Sequence, residues 1–397
     1  NNPNKLNNNV IFNSDQVNQS SKTENYTFYN HFNHTYQLSE NKALNNYIYF
    51  GNDKINENSK INSPFLNNFL NTNINDIVNQ IANNQLFYIG GKSKLISKFR
   101  KLDITNSLQF ELNQEQFKNT FLVNNNSNTN YENNTKLNQI KIIFDNTIRY
   151  NFSKKIDFTA NVNFQNINFD TQIVKNNIFL INPTISLNIK KTGFGNFSLS
   201  YSENNTLPEI NQLTFNNQLI DYRSFLKGTL YSKPLKNTIS SFAYNFYNDE
   251  KRFSINTSLF YIKSQSIFNT ESILTNDFNF ATYKQTNGGE SYNFNFSFVN
   301  YIRKLKLASK IETTQMWSSM PINVNSNEFL QAKNYSNTIK YSATTYFKMP
   351  INFDCGFNYN YNQSTFNNIQ SNNTTKDIFI NINYAITKTW LAELNNS

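Results

Sequence analysis

From Ile156 to Gln165 the side chains alternate without exception between two chemistries. Ile156, Phe158, Ala160, Val162 and Phe164 fall on one parity, and Asp157, Thr159, Asn161, Asn163 and Gln165 on the other. A period of two places successive side chains on opposite faces of a strand and fits no helix. The pattern recurs from Tyr292, where Phe294, Phe296 and Phe298 alternate with Asn293, Asn295 and Ser297 up to Arg303-Lys304. Beyond that basic turn it resumes on Leu305, Leu307 and Ile311, which predicts an antiparallel hairpin closed by very few residues.

The same unit is found about eight times along the chain, a spacing that fixes architecture more than any single strand does. Tyr26–Leu38 returns through Ala43–Gly51, Leu86–Phe99 through Leu102–Leu122, and Leu137–Phe152 through Ile156–Phe169. Phe179–Ile189 returns on Phe197–Tyr201, Ile239–Tyr247 on Phe253–Ile262, and Tyr335–Phe347 on Ile351–Tyr361. A last unit starts at Ile378 and turns near Thr387–Thr389. One end of each hairpin is short, and the other runs into Asn/Ser/Thr-rich stretches such as Asn52–Asn83, Glu203–Lys236, Thr270–Gly288 and Ser318–Lys333, read as long loops. Phe65–Ile81 has room for a short helix, and Pro183 inside a strand predicts a local bulge. Short turns at one end and long loops at the other predict an all-β fold, a transmembrane antiparallel up-and-down barrel with about sixteen strands.

Composition agrees with this and removes alternatives. Only 38% of the 397 residues are hydrophobic, yet the chain holds 37 Phe and 23 Tyr, residues that favour strands. No stretch approaches the eighteen or so apolar residues of a membrane-spanning helix, whereas a spanning strand needs only about ten with one apolar face. No change of composition divides residues 1–397, so a single barrel domain is expected. The formal charge of +10 is spread over turns and strand ends, which predicts no nucleic-acid partner. Asn, Lys, Ile, Phe and Tyr share AT-rich codons, so the asparagine content carries little functional information.

Few residues offer chemistry. Cys355 is the only cysteine, and His31 and His34, three apart on a strand, should face opposite ways, so neither a metal site nor a cofactor is expected. No Gly-x-Ser-x-Gly, His-Glu-x-x-His or phosphate-cradling loop is present, and Asp157, Asp249 and Asp354 read as lumen or turn residues. A non-enzymatic protein is expected. No catalytic or substrate-binding residue is assigned. Phe65, Phe69, Phe215 and Trp317 have two readings, as ligand contacts or as residues that pack loops and line the membrane interface.

The stretch Glu203–Lys236 carries Leu207-Pro208-Glu209-Ile210-Asn211-Gln212-Leu213 and then Asp221–Gly228. With the hairpin rhythm around it, this element resembles the outer-membrane β-barrel part of TonB-dependent receptors of Bacteroidota. The resemblance implies a barrel of about twenty-two strands around an N-terminal plug, located in the bacterial outer membrane and importing a ligand with energy delivered by TonB. It implies outer-membrane lipid, TonB acting through a plug, and a surface lipoprotein as partners. Neither a plug nor a TonB-box-like segment is found in this chain. The alternative is a non-energised porin or a surface-binding barrel.

Three expectations follow for the geometry. Phe294, Phe296, Ile156, Phe158, Ile185, Leu187 and Cys355 should face lipid, while Asn161, Asn163, Ser186 and Asn188 face the lumen. Both ends of the chain fall at the long-loop side, so the wall is expected to be open and completed by further strands. The short turns should face the periplasm. Protease added to intact cells is therefore expected to spare Arg303-Lys304 and Ser153–Lys155; cleavage there with Asn52–Asn83 and Glu203–Lys236 protected would reverse the orientation.

Overall fold

The alternation becomes one continuous wall. A computed structural model describes residues 5–6, 10–11, 17–73, 75–229, 233–325, 328–385 and 391–396. Among these, sixteen strands follow one another in chain order: β1 (Asn18–Ser39), β2 (Lys42–Asn62), β3 (Val78–Phe99), β4 (Leu102–Val123), β5 (Asn133–Asn151), β6 (Ile156–Thr171), β7 (Lys175–Thr192) and β8 (Gly195–Thr206). The second half continues with β9 (Leu235–Asn248), β10 (Phe253–Ser264), β11 (Glu290–Ile302), β12 (Leu307–Val324), β13 (Leu330–Thr345), β14 (Ile351–Phe366), β15 (Ile369–Ala385) and β16 (Leu391–Asn396). Each pairs antiparallel with the next, from Gln37↔Ala43 at the start to Ile382↔Leu394 at the end. The turn expected at Thr387–Thr389 lies outside the described residues.

Burial identifies the two faces. Along β5, Asn133, Thr135, Leu137 and Gln139 are buried while Lys136, Asn138, Ile140 and Ile142 are exposed. The register carries this parity to β6 and β7, where Asp145↔Asn163 and Asn163↔Asn182 lie inside and Phe158↔Leu187 outside. Ile156, Phe158, Ile185 and Leu187 therefore face outward and Asn161, Asn163, Ser186 and Asn188 inward, as read from the sequence. On the far side Phe294↔Leu259, Trp317↔Tyr335 and Phe357↔Ile378 extend the outer apolar face, and Cys355 lies on it opposite Ile380. A wall that is apolar outside, polar inside and hydrogen-bonded strand to strand is a transmembrane barrel.

The structure corrects several details. Most of Asn52–Asn83 and Ser318–Lys333 is strand, because β2 and β3 continue to Asn62 and from Val78, and β12 and β13 to Val324 and from Leu330. Strands of 21 and 22 residues overshoot the bilayer, and beyond it no lipid imposes apolar alternation, so the pattern fades while the ladder persists. Thr270–Gly288 is a hairpin of Ser266–Leu274 with Asn279–Asn287. Two connections at the long-loop end are short, Thr171–Lys175 and the Asn367-Asn368 turn, whose positive φ values of 47° and 63° suit asparagine. The expected helix is a single six-residue turn, α1 (Pro64–Phe69), with Pro64 leading and Ser63 capping the Leu66 amide.

Pro183 makes no bulge. The β6–β7 register runs unbroken through Pro183↔Val162, while pairing of β7 with β8 starts only below it, at Thr184↔Ser202. The missing N–H is accommodated where one ladder ends.

The strand order is that of a closed barrel, contrary to the open wall expected from strand parity. The closure is slight, because β16 is six residues long and pairs with only Ile380–Ala385 of β15, and β1 is exposed along all 22 residues.

Replacing Phe158 by Arg is expected to destabilise the reconstituted barrel by about 2–4 kcal/mol. Asn161→Arg should cost less than about 1 kcal/mol, because lumen positions remain hydrated. Denaturant unfolding in vesicles measures both, and equal losses would contradict the assignment of faces.

Candidate functional site

The apolar parity does not stay constant along the strands. Leu108, Phe110 and Leu112 of β4 point outward, but Phe117 and Phe121 point inward. In β6 the outward series ends at Phe164, and Ile167 and Phe169 occupy the inward parity. β5 and β7 place Leu137 and Leu180 inside in the same way. These inward groups are all buried at the long-loop end of the lumen, so something apolar fills the mouth there.

The filling is the segment Leu207–Gly228. Its turn of 3₁₀ helix, Ile210–Leu213, is held by a capping box in which Glu209 and Gln212 bond reciprocally across the turn. Ile210 and Leu213 insert into the cluster of Phe117, Leu137, Ile167, Phe169 and Leu180. Each such side chain contributes about 1.5–3 kcal/mol on burial. At the neck, Gly228 donates its amide to Thr214 Oγ1 at 3.0 Å, and a Cβ there would lie 2.3 Å from the Thr214 nitrogen. Only glycine permits that approach.

Two lumen-facing amides tie the segment to the wall. Asn133 Oδ1 accepts from the backbone of Phe215 (3.0 Å) and Asn216 (2.8 Å), and its Nδ2 donates to the Asn216 carbonyl at 3.1 Å. Gln80 brackets Leu219, donating to its carbonyl at 2.6 Å and accepting from its amide at 3.0 Å. Past these anchors, Gln218–Asp221 and Ser224–Lys227 form a hairpin that joins Asn279–Asn287 in parallel. Two loops thereby fuse into one small sheet.

Phe225 centres this cap, stacked on Phe280 at 5.2 Å and packed with Phe69 (5.4 Å), Phe278 (5.9 Å) and Tyr131 (5.4 Å). Phe69 therefore packs a loop. Trp317 lies on the outer wall against Tyr335 at 5.1 Å, beside the Tyr261–Tyr292 stack, and reads as an interfacial aromatic. Phe215 contributes its backbone amide to the Asn133 anchor, and the side chain of Phe65 lies outside the described residues.

Below the cap the lumen is polar. A cavity of about 410 Å³ lies under Leu207–Asn211, lined also by Glu115, Gln139 and Lys141. Glu111 is fully engaged, accepting from Tyr49 Oη (2.5 Å), Asn113 (2.7 Å) and Lys141 (2.9 Å). Tyr29, His31, Tyr47, Tyr49 and Tyr88 extend a ring-lined patch along the inner wall, with neighbouring centroids 5.4–6.4 Å apart. Gly90 makes room for the Tyr49 ring, which lies 2.5 Å from where a Cβ would stand. His31 belongs to this inner patch and His34 to the outer face beside Phe32, so the two histidines part as expected. Asp157 faces inward and pairs with Lys190 (2.7 Å), Asp354 faces inward and accepts from Thr344 (2.9 Å), and Asp249 lies in the Asn248–Phe253 turn.

Sequence reasoning missed the anchors Asn133 and Gln80 and the inward cluster. A signal existed, because the apolar positions change parity between Phe164 and Ile167 and between Leu112 and Phe117. A change of parity within a strand marks where one face stops meeting lipid and the other starts meeting protein.

No family model and no curated protein matches the chain. Among solved structures it is similar to the ferric-catecholate import receptor Fiu of E. coli K12, with 11% identity and a TM-score of 0.48 over 98% of this chain and 61% of that one. The copper transporter OprC matches at 7% identity and a TM-score of 0.48, over 93% of this chain and 65% of that one. The alcaligin outer-membrane receptor FauA of Bordetella pertussis matches at 11% identity and 0.40, over 94% and 65%. The chain thus spans about three-fifths to two-thirds of the length of these proteins.

Asn133→Ala would leave the half-buried amides of Phe215 and Asn216 without their shared acceptor, a loss of about 1 kcal/mol or more in all. The variant, combined with Gln80→Ala, is expected to loosen the mouth segment and raise the ion conductance of the reconstituted barrel. Unchanged conductance in a folded double variant would contradict the stopper role.

Proposed function

We propose that this chain is the barrel region of a receptor-type transporter of the bacterial outer membrane, with the cap and the polar lumen forming a gated path for an imported ligand. The observation that carries this reading is the mouth segment Leu207–Gly228, which folds inward onto wall residues and leaves a hydrophilic cavity beneath. An inward segment held by side chains and not by wall ladders is what a gated path requires. The Tyr29–Tyr88 patch and the polar groups around Glu115 provide the rings and hydrogen-bonding surface that a ligand crossing the lumen would meet.

The reading extends to the rest of the protein. The short last strand, which pairs with only Ile380–Ala385 of β15, leaves the closure narrow, and this supports further strands and a barrel nearer twenty-two in the full-length polypeptide. A plug would fill the lumen below the cap and give TonB its point of attachment, and a surface lipoprotein would meet the cap from outside. The residue pattern around Leu207–Gly228 supports an origin in Bacteroidota through its resemblance to that group's receptors.

The full reading frame is expected to encode a plug of about 120–150 residues, a domain-sized segment. Growth on the imported nutrient should then depend on TonB. A reading frame without a plug, together with uptake that is indifferent to TonB, would overturn the proposal in favour of a non-energised pore.

A further inference from the structure

The wall has a weak place beside the mouth segment, where Leu180 and Asn205 meet Leu207. β8 stays registered with β9 up to Thr206↔Leu235, but its pairing with β7 stops at Thr184↔Ser202, directly below Pro183. Above that point the two strands are held by two asparagine side chains. Asn182 Oδ1 accepts from the backbone amide of Asn205 (2.7 Å) and from its Nδ2 (3.0 Å), and the same Nδ2 donates to the Ile181 carbonyl at 2.8 Å. Proline cannot extend the ladder upward, so side chains stand in for it.

The two sides of this seam are both hollow. Outside lies a groove of about 640 Å³ lined by Phe179, Ile181 and Pro183 on one wall and by Lys233 and Lys236 on the other. Inside lies the 410 Å³ lumen cavity with Glu115 and Glu209. Leu180 and Asn205 line both. Phe179 and Ile181 are exposed on the outer face, whereas Leu180 is buried between them on the inner one. Among the described residues, Leu180 and Asn205 of the asparagine latch lie between the groove and the lumen.

We propose that this seam is a lateral portal for a zwitterionic single-chain amphiphile. The assignment rests on the reading of the chain as a membrane-spanning barrel and on the order of chemistries across the seam. Phe179, Ile181 and Pro183 offer an apolar track for an acyl chain that remains in the bilayer. Lys236 is paired with Glu203 at 2.8 Å in the groove, which leaves the Lys233 ammonium on the same wall as the cation for a phosphate. On the lumen side the cavity holds two carboxylates, Glu115 and Glu209, against one ammonium, Lys141, which is paired with Glu111 at 2.9 Å, so the balance there is acidic and a terminal ammonium would be met by Glu115. A purely anionic headgroup would meet those two acids unfavourably, and a neutral alkane would use neither set. Parting of Asn182 and Asn205 breaks three side-chain hydrogen bonds and no strand ladder, so opening leaves the rest of the wall intact.

The test uses the full chain in phosphatidylcholine vesicles with lysophosphatidylcholine carrying a diazirine near the ester, followed by peptide mass spectrometry after irradiation. Label is expected on Phe179 and Ile181 and also on Leu180, Asn205 and Leu207, and the Asn182→Ala/Asn205→Ala variant should show several-fold more at Leu207. Label on outward residues such as Phe158 and Ile181, with none at Leu180 or Leu207 in either protein, would overturn the portal while leaving the barrel in the membrane. Absence of label at Phe158 and Ile181 as well would instead overturn the membrane-spanning reading on which it rests. Should the double variant fail to fold, the labelling of Leu180 and Leu207 in the unaltered chain decides the question alone.

Discussion

Hydrocarbon offers no partner to a backbone N–H or C=O, and every feature of this molecule is arranged around that fact. No helix among the described residues is long and apolar enough to cross a bilayer, but strands whose amide groups are spent on neighbours can cross it. Sixteen antiparallel strands meet the requirement through their ladders, and the tight turns lie beyond the apolar band, where water can solvate them. Asparagine does much of the work at such turns. Asn124-Asn125 and Asn367-Asn368 both take positive φ, which this side chain tolerates better than most. Where the ladder fails, at Pro183 and above, asparagines again supply the missing bonds.

The same wall serves two solvents at different heights. In the bilayer zone the outward parity is apolar and the inward parity polar, as on β6 from Ile156 to Gln165. Higher up, protein replaces water on the inner face, and Phe117, Phe121, Ile167 and Phe169 turn inward to meet the cap. Burial of these groups holds the mouth segment in place, and Asn133 and Gln80 fix its register without adding a strand to the wall. Directional amides set position, while apolar area supplies most of the energy. The segment is thus held by side chains and by the small cap sheet, which joins the wall ladder where Glu271 and Ser272 pair with Asn323 and Val324 of β12.

The fold was legible because a two-residue period over sixteen strands leaves few other architectures open. Strand parity on β6, β7 and β11 was readable residue by residue, and so was the divergence of His31 and His34. What stayed hidden depended on contacts between distant segments. Nothing local in Gln218–Lys227 announces a hairpin that will pair in parallel with Asn279–Asn287, some fifty residues away. The polar upper strands read as loops in sequence because apolar alternation reports contact with lipid and not strand formation itself. Gln80 and Asn133 looked like two more asparagine-rich loop amides, although each carries backbone groups about eighty residues or more distant. Pro183 predicts a bulge within its strand, but the lost hydrogen bond falls where the β7–β8 ladder ends, which sequence alone does not reveal.

Nitroxide scanning of β6 from Ile156 to Thr171, in lipid vesicles, tests the central claim most directly. Collision with dissolved oxygen reports lipid contact, and collision with a water-soluble nickel chelate reports the lumen. Even-numbered positions through Phe164 are expected to favour oxygen, odd positions through Gln165 to favour nickel, and Ile167 and Phe169 to be shielded from both. An absence of alternation, or free access of nickel to Ile167 and Phe169, would contradict a membrane-spanning barrel whose mouth is closed by its own folded loop.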